Sequence, residues 1–460
     1  MGEKKIAYLL DVGYVFKNNI SMLRLLLKDA QTKKTFRLYD YKFDPYFYLK
    51  VDGSDDEIAR ITQDLLKIRA FDRGKEIKLK RIEKVTKKLQ LEEATFLKLV
   101  CSHPTDVSKL RDEIKKFGET YEQAISYTKR YTIDKELTPS TLVEVEIGEN
   151  RQIESIRGIK EERYSELPYN LMGFDIETYN PKTIPNPQSD PVIMAGWAQE
   201  EDMGIFTFQK KVRDENVEIL NSEKLMLERI GIFLKERKVD IIATYNGDQF
   251  DLPYLRDRAK ATKAQMHLGR DKAPPKSKSL GIRSQTSING RVHFDVFPVV
   301  SFLNIIGAYK LPRLTLEVAY REILGGKKMD VKSDEIWKFW DSGDSEKLKQ
   351  LADYCENDAV AAYRLAKHVL PLEIELSRLT GTTLFDSSRS TSGQLVEMLL
   401  MREAFRSGEI ILGKPRYEEV QKRSANPVEG AFVKLPNPGL YENIAVLDFR
   451  SLYPSIIISH

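Results

Sequence analysis

Short apolar runs separated by polar turns open the chain. Residues 6–10, 36–39, 47–49 and 96–100 read as strands. Amphipathic stretches near residues 55–70 and 105–117 read as helices, so residues 1–134 predict an α+β domain. From 135 to 369 the two periods alternate. Strands are predicted to end at Glu177, to cover 192–197 and 239–245, and to lie near 204–208; helices are predicted over 222–237, 314–324, 335–340 and 345–369. Alternation of this kind predicts a mixed α/β sheet with helices on its faces. Residues 370–411 are helical in pattern and are assigned back to the first domain, and 412–460 read as a third, strand-and-turn segment whose residues 444–447 form a buried strand. No internal repeat is visible.

Composition narrows the class. At 460 residues the chain is too long for one ordinary domain, and about two to four are expected. A hydrophobic share of 41% with 10% aromatics is that of a globular protein with ample core. No apolar run is long enough to span a bilayer, and the opening Met1-Gly2-Glu3-Lys4-Lys5 lacks a signal-peptide apolar region, so a cytoplasmic protein is expected. Two cysteines, Cys101 and Cys355, lie far apart without metal-ligand spacing, which suits a reducing compartment with no disulfide frame or zinc module. The many Lys and Glu lean towards a thermophile's surface. A net charge of +4 does not announce nucleic acid, but its distribution does more. Residues 75–88 are rich in Lys, and residues 256–283 carry nine cations against Asp257 and Asp271. The first run reads equally as a solvated face. The second contains Pro274-Pro275 and reads as one basic loop suited to a phosphate backbone.

The candidate chemistry begins with Asp175 and Glu177. Residues i and i+2 of a strand share a face, so two carboxylates project together from an apolar element. Two like charges buried side by side are costly unless a cation sits between them. Asp-x-Glu also occurs by chance at Asp134/Glu136 and Asp344/Glu346, but in polar surroundings. A second candidate, Asp251, follows a predicted strand and the turn Asn246-Gly247; the plain alternative is a helix N-cap. A third pair, Tyr354 and Asp358, lies one turn apart on a helix, where a surface contact is the plain alternative. Four acids, Asp175, Glu177, Asp251 and Asp358, fit two divalent cations, Mg²⁺ or Mn²⁺, with Tyr354 on an attacking water.

The runs FDIET, YNGDQFD and YCEND, in that order, resemble the three exonuclease motifs of family B DNA polymerases. Residues 376–397 are similar to the segment joining exonuclease and palm, and residues 443–460 resemble the first palm motif. The similarity runs over the whole chain and looks closest to the archaeal branch. It implies an α/β and α+β multidomain protein: an amino-terminal template-binding α+β domain (1–134, with 370–411), an RNase H-like 3′→5′ exonuclease domain with a mixed sheet (135–369) and the beginning of a palm (412–460). It implies a proofreading nuclease acting on single-stranded and primer-template DNA, with Asn246 and Phe250 at the frayed primer end. Asp448 matches the first palm carboxylate, Arg450 lies in the same DNA-contacting motif, and Tyr453 matches the steric gate for the incoming nucleotide. Pro45, Tyr46, Phe96 and Tyr121 fall where archaeal relatives sense template uracil, with Phe96 bulkier than the usual Val. The family's Tyr-x-Gly-Gly segment stands here as Val428-Glu429-Gly430-Ala431. The chain stops at His460, twelve residues past Asp448, leaving Ile456-Ile457-Ile458 as an apolar end. Polymerisation with dNTPs would then need the rest of the palm, fingers and thumb, in a second chain if the gene is split. A free-standing exonuclease and a catalytically inactive DNA-binding subunit are the alternatives. The cell implied is archaeal, with the protein on the nucleoid.

Overall fold

Alternation along Leu171–Thr178 decides the architecture around the acid pair. Met172, Phe174 and Ile176 point to one face of the strand; Gly173, Asp175 and Glu177 point to the other. The first face packs on Met226, Leu227, Ile230, Phe233 and Leu234 of the helix Glu223–Glu236, and on Leu252 and Leu255 of the helix Asp251–Thr262. Each such side chain contributes about 1.5–3 kcal/mol by leaving water. The second face receives the long helix Ser345–Thr380. The computed structural model describes all residues except 1, 18, 19, 73, 182, 183, 281, 282, 328–334, 414, 416, 428, 429 and 460, and the side chains of 17, 280 and 283. Val428, Glu429 and His460, singled out in the sequence, therefore lie outside the described residues.

The sheet is six-stranded and mixed. Its order is Val217–Ile219, Asp202–Thr207, Val192–Gln199, Leu171–Thr178, Ile241–Thr244 and Val292–Asp295. Leu171–Thr178, Ile241–Thr244 and Val292–Asp295 run parallel, so their carboxyl ends open on one edge. Val192–Gln199 pairs antiparallel, with Gly196 opposite Asp175.

Two glycines let the long helix lie on the backbone of the sheet. A Cβ at Gly173 would stand 2.3 Å from Ala359 O, and one at Gly196 would stand 2.5 Å from Cys355 O. Ala359, Ala362 and Ala366 keep the helix side of the contact thin. Asp344 caps this helix, accepting from Glu346 N at 2.9 Å and Lys347 N at 3.1 Å. Gly381, at φ 70°, ends it. The helix therefore runs past residue 369 to Thr380 without a break.

Before this sheet come a five-stranded antiparallel sheet built on Glu3–Lys17 and a four-stranded sheet built on Tyr46–Lys50. The first docks on the six-stranded sheet through Asp240, which is 1% exposed. Asp240 pairs with buried Lys28 and accepts from Thr35 Oγ1 at 2.6 Å, Arg270 Nη2 at 2.8 Å and Asn170 N at 3.1 Å. Lys88 exchanges backbone hydrogen bonds with Gly408 and Ile410, following the helix Ser392–Arg406.

Two expectations need correction. Residues 256–283 are not one loop. Arg256, Arg258 and Lys260 lie on the helix Asp251–Thr262, and a hairpin of Lys276–Leu280 with Arg283–Ser287 follows. Several of the cations are internal fasteners: Arg258 grips Glu223 with Nε at 2.7 Å and Nη2 at 2.8 Å, and Arg270 holds Asp240. The second correction concerns residues 444–447. Contacts separate Met1–Gly413 from Lys414–His460 as two units. The second unit contains the helices Tyr417–Ala425 and Leu452–Ser459, and all its described residues are exposed. Val446 and Leu447 are 91% and 92% exposed, outside any strand. An extended run needs a neighbour to close its ladder, and none lies among the described residues of that unit.

Candidate active site

Asp175 and Glu177 stand on the strand face that meets the long helix, near the open carboxyl edge of the parallel strands. Asp251 arrives from the next strand over. The turn after Ile241–Thr244 places Asn246 at φ 69°, a left-handed conformation that Asn tolerates well. Gly247 follows because a Cβ there would come within 2.2 Å of Thr244 Oγ1. Phe250, not Asp251, occupies the N-cap, and Asp251 is the first helical residue. Its carboxylate reaches the backbone N–H of Ile176, between the two strand acids. Asp251 Oδ1 is buried with no hydrogen-bond partner among the described residues. Burial, and then the nearby Asp295 and Asp358 carboxylates, push its pKa up to about 7.

The long helix supplies Asp358, 6% exposed, and Tyr354 one turn earlier. Tyr354 hydrogen-bonds to Asp358, and its hydroxyl is held far above the ordinary range by burial and by Glu177, Asp358 and Asp175. These dependences set Tyr354 among all three acids. The five residues thus come from two neighbouring strands, or the turn that follows one of them, and from one face of a helix. Asn246 and Phe250 lie on the loop before Asp251, both half-buried, and the Phe250 ring lies 5.4 Å from that of Tyr254.

Sequence reasoning missed two members of this neighbourhood. Asp295 ends its strand 1% exposed and accepts from Asn246 N at 2.7 Å and Asp248 N at 3.0 Å, pinning the loop. Its signal was present, an acid directly after the apolar run ending at Phe294. Cys355, set aside as a bystander, brings its Sγ within 4.8 Å of ligand atoms of Asp175 and Glu177. Burial pushes its thiol well up, so it stays protonated.

Hard oxygen donors dominate the cluster, and Asp251 Oδ1 is a buried carboxylate oxygen with no hydrogen-bond partner among the described residues. Both features fit a hard divalent cation such as Mg²⁺ or Mn²⁺.

The other candidates lie elsewhere. Asp448, Arg450 and Tyr453 belong to the second unit and are exposed. Tyr46, Phe96 and Tyr121 belong to the four-stranded sheet, and Pro45 immediately precedes its strand Tyr46–Lys50. Phe96 is fully buried, its ring 5.8 Å from Tyr121 and 6.2 Å from Tyr48. Tyr46 donates to Asp134 Oδ2 at 2.6 Å. In the run 75–88, Lys80 and Arg81 both pair with Asp44.

Comparison with known proteins bears on the whole chain. Residues 118–314 match the exonuclease domain of DNA polymerase family B, and residues 383–460 match DNA polymerase family B itself. A DNA polymerase of Pyrococcus horikoshii is 36% identical over 457 residues, covering 98% of this chain and 34% of that protein. DNA polymerase 1 of Pyrococcus abyssi is 35% identical over 458 residues, covering 98% of this chain and 54% of that protein. The solved family B DNA polymerase of the hyperthermophilic archaeon Pyrobaculum calidifontis superposes with a TM-score of 0.78 at 27% identity, over 99% of this chain and 56% of that one. The chain thus spans about half or less of the length of these relatives.

Proposed function

The chain belongs to the family B DNA polymerases, and from that premise we propose that its acid cluster is a two-metal 3′→5′ exonuclease centre that proofreads DNA ends. The observation that carries this reading is Asp251 Oδ1, buried and without a hydrogen-bond partner among the described residues, beside the strand that bears Asp175 and Glu177. Asp175, Glu177, Asp251 and Asp358 would hold two ions, Mg²⁺ or Mn²⁺, which supply an activated water and neutralise the leaving oxygen when bound. Tyr354 orients that water through its bond to Asp358. Asn246 and Phe250 receive the single-stranded 3′ end, the Phe250 ring offering a stacking face. The product is a nucleoside monophosphate and a chain one residue shorter.

The proposed domain map keeps 1–134 with 370–411 as the template-binding domain, 135–369 as the exonuclease and 412–460 as the start of a palm. The backbone bonds of Lys88 to Gly408 and Ile410 support the first assignment. Within the last, Asp448 is the first palm carboxylate, Arg450 a DNA contact and Tyr453 the nucleotide gate. A two-metal polymerisation from dNTPs would use Asp448 together with a further palm acid. The packing of Phe96 against Tyr48 and Tyr121 supports reading the set Pro45, Tyr46, Phe96 and Tyr121 as a filled template-base pocket. No helix of the described residues is long and apolar enough to cross a membrane, and we place the protein in an archaeal cytoplasm, on the nucleoid.

The test is hydrolysis of 3′-labelled single-stranded DNA with Mg²⁺ or Mn²⁺. Losing one metal ligand removes several kcal/mol of transition-state stabilisation, so Asp251→Ala should fall by about 10³-fold or more. Equal rates for wild type and Asp251→Ala would sink the nuclease reading.

A further inference from the structure

Asp248 lies three residues before Asp251 and is one of the most heavily bonded acids among the described residues. Its Oδ2 accepts from Arg389 Nε at 2.7 Å; its Oδ1 accepts from Thr286 N at 2.7 Å and Arg389 Nη2 at 3.2 Å, with His293 Nδ1 at 3.3 Å. Its backbone carbonyl accepts from Ser284 Oγ at 2.8 Å. Burial opposes its ionisation, but His293 and Arg389 hold the carboxyl far below the usual carboxylate range. The side chains of Arg389 and Asp248 are 3% and 5% exposed. Arg389 is fixed in turn: its guanidinium lies 4.0 Å over the Phe385 ring, and Nη1 donates to Phe385 O and Ser388 Oγ, each at 3.0 Å.

This ties four stretches of chain at one point. The loop after Ile241–Thr244 brings Asp248, the hairpin strand Arg283–Ser287 brings Ser284 and Thr286, the strand Val292–Asp295 brings His293, and the segment between the long helix and Ser392–Arg406 brings Arg389. Asp295 holds the same loop through its backbone amides, and the buried Thr286 hydroxyl holds it through the Asp248 carbonyl at 3.3 Å. The loop carries Asn246, Phe250 and, at its end, Asp251.

Resting on the reading of the acid cluster as a metal centre, we propose that Arg389 is a positioning residue for that centre: its two-point grip on Asp248 fixes the loop so that Asp251 stays beside Ile176. Arg389 Nη2 also meets His293 Nδ1 at 3.2 Å, so its hold on the loop passes through Asp248 and the His293 beside it. Two parallel N–H contacts set an angle as well as a distance, which a single ammonium cannot do.

The experiment compares Arg389→Ala and Arg389→Lys in the full 460-residue chain. Mn²⁺ binding is read by calorimetry, with Asp251→Ala marking the site, and folding by thermal melting. Arg389→Ala should bind Mn²⁺ about tenfold more weakly, as when an outer partner of a metal ligand is lost. Its Mg²⁺ midpoint for hydrolysis should rise in step, and Arg389→Lys should fall between it and wild type. Wild-type Mn²⁺ affinity in a cooperatively melting Arg389→Ala overturns the proposal. If that variant does not melt cooperatively, Arg389→Lys decides by the same criterion, and unchanged affinity there overturns it equally. Wild-type protein that binds no Mn²⁺, or binds it regardless of Asp251→Ala, overturns the metal centre itself.

Discussion

Asp175 and Asp448 carry the same sequence signal, an acid at the end of an apolar run, and the molecule treats them in opposite ways. The run before Asp175 is a strand flanked on both sides, with Val192–Gln199 antiparallel and Ile241–Thr244 parallel, and covered by a helix on each face. The run before Asp448 has Ile444, Val446 and Leu447 at 68%, 91% and 92% exposed and no ladder partner among the described residues. An apolar run followed by an acid therefore yields a buried acid cluster only where neighbours supply both the hydrogen-bond ladder and the burial. Around Asp175 that cluster draws acids from three elements. Around Asp448 the carboxylate is exposed to water.

The largest blow to the first region should come at its dock. Asp240→Ala leaves Lys28 buried without its partner, at a cost of about 3–5 kcal/mol, readable as a fall in denaturant midpoint. A cost under about 1 kcal/mol, the range of exposed pairs, would mean that Lys28 finds water and that the dock is looser than it looks.

Next comes a buried acid outside the cluster of Asp175, Glu177, Asp251 and Asp358. Glu373 is 2% exposed and accepts from Ser387 Oγ at 2.8 Å; burial pushes its pKa up to about 7. A carboxyl raised in the fold favours the folded state when neutral, so stability is lost as pH climbs from the ordinary carboxylate range through about 7. Glu373→Gln should therefore be the more stable protein at pH 8 by about 3 kcal/mol and nearly level with wild type at pH 4. Parallel pH–stability curves for the two would show that Glu373 does not titrate as argued.

Gly173→Ala pushes a methyl into Ala359 O and should cost about 1–3 kcal/mol by overpacking. Because the displaced helix carries Asp358 and Tyr354, nuclease rate should fall by more than the loss of folded fraction explains. The smallest effect belongs to the second region. Val446→Ser, at an exposed position, should shift stability by less than about 0.5 kcal/mol. A cooperative loss there would reveal packing that the comparison denies.

Much of the first region was legible before any coordinates. The strand ending at the acid pair, those near 192–197 and 239–245, and the helix from Ser222 emerge within a few residues of expectation, because period and length are local properties. The candidate acids were legible from motif order. What stayed hidden depends on long-range approach. Cys355 joins the acid pair only because Gly173 and Gly196 let the helix close on the sheet. Arg389 meets Asp248 across 141 residues of sequence. The basic stretch 256–283 misled for a related reason: charge counts do not reveal that Arg258 and Arg270 already have buried or half-buried carboxylates to hold. The strand expected at 444–447 failed because a strand is a property of pairs, and composition speaks only of one member.

The central claim is that Asp175, Glu177, Asp251 and Asp358 together hold divalent metal. Anomalous scattering from crystals soaked in Mn²⁺ tests it most directly. The account predicts two manganese peaks enclosed by those four carboxylates, both lost in Asp251→Ala or reduced to one. Crystals with no peak among the four acids, or with manganese only at exposed carboxylates such as Asp448, would contradict it.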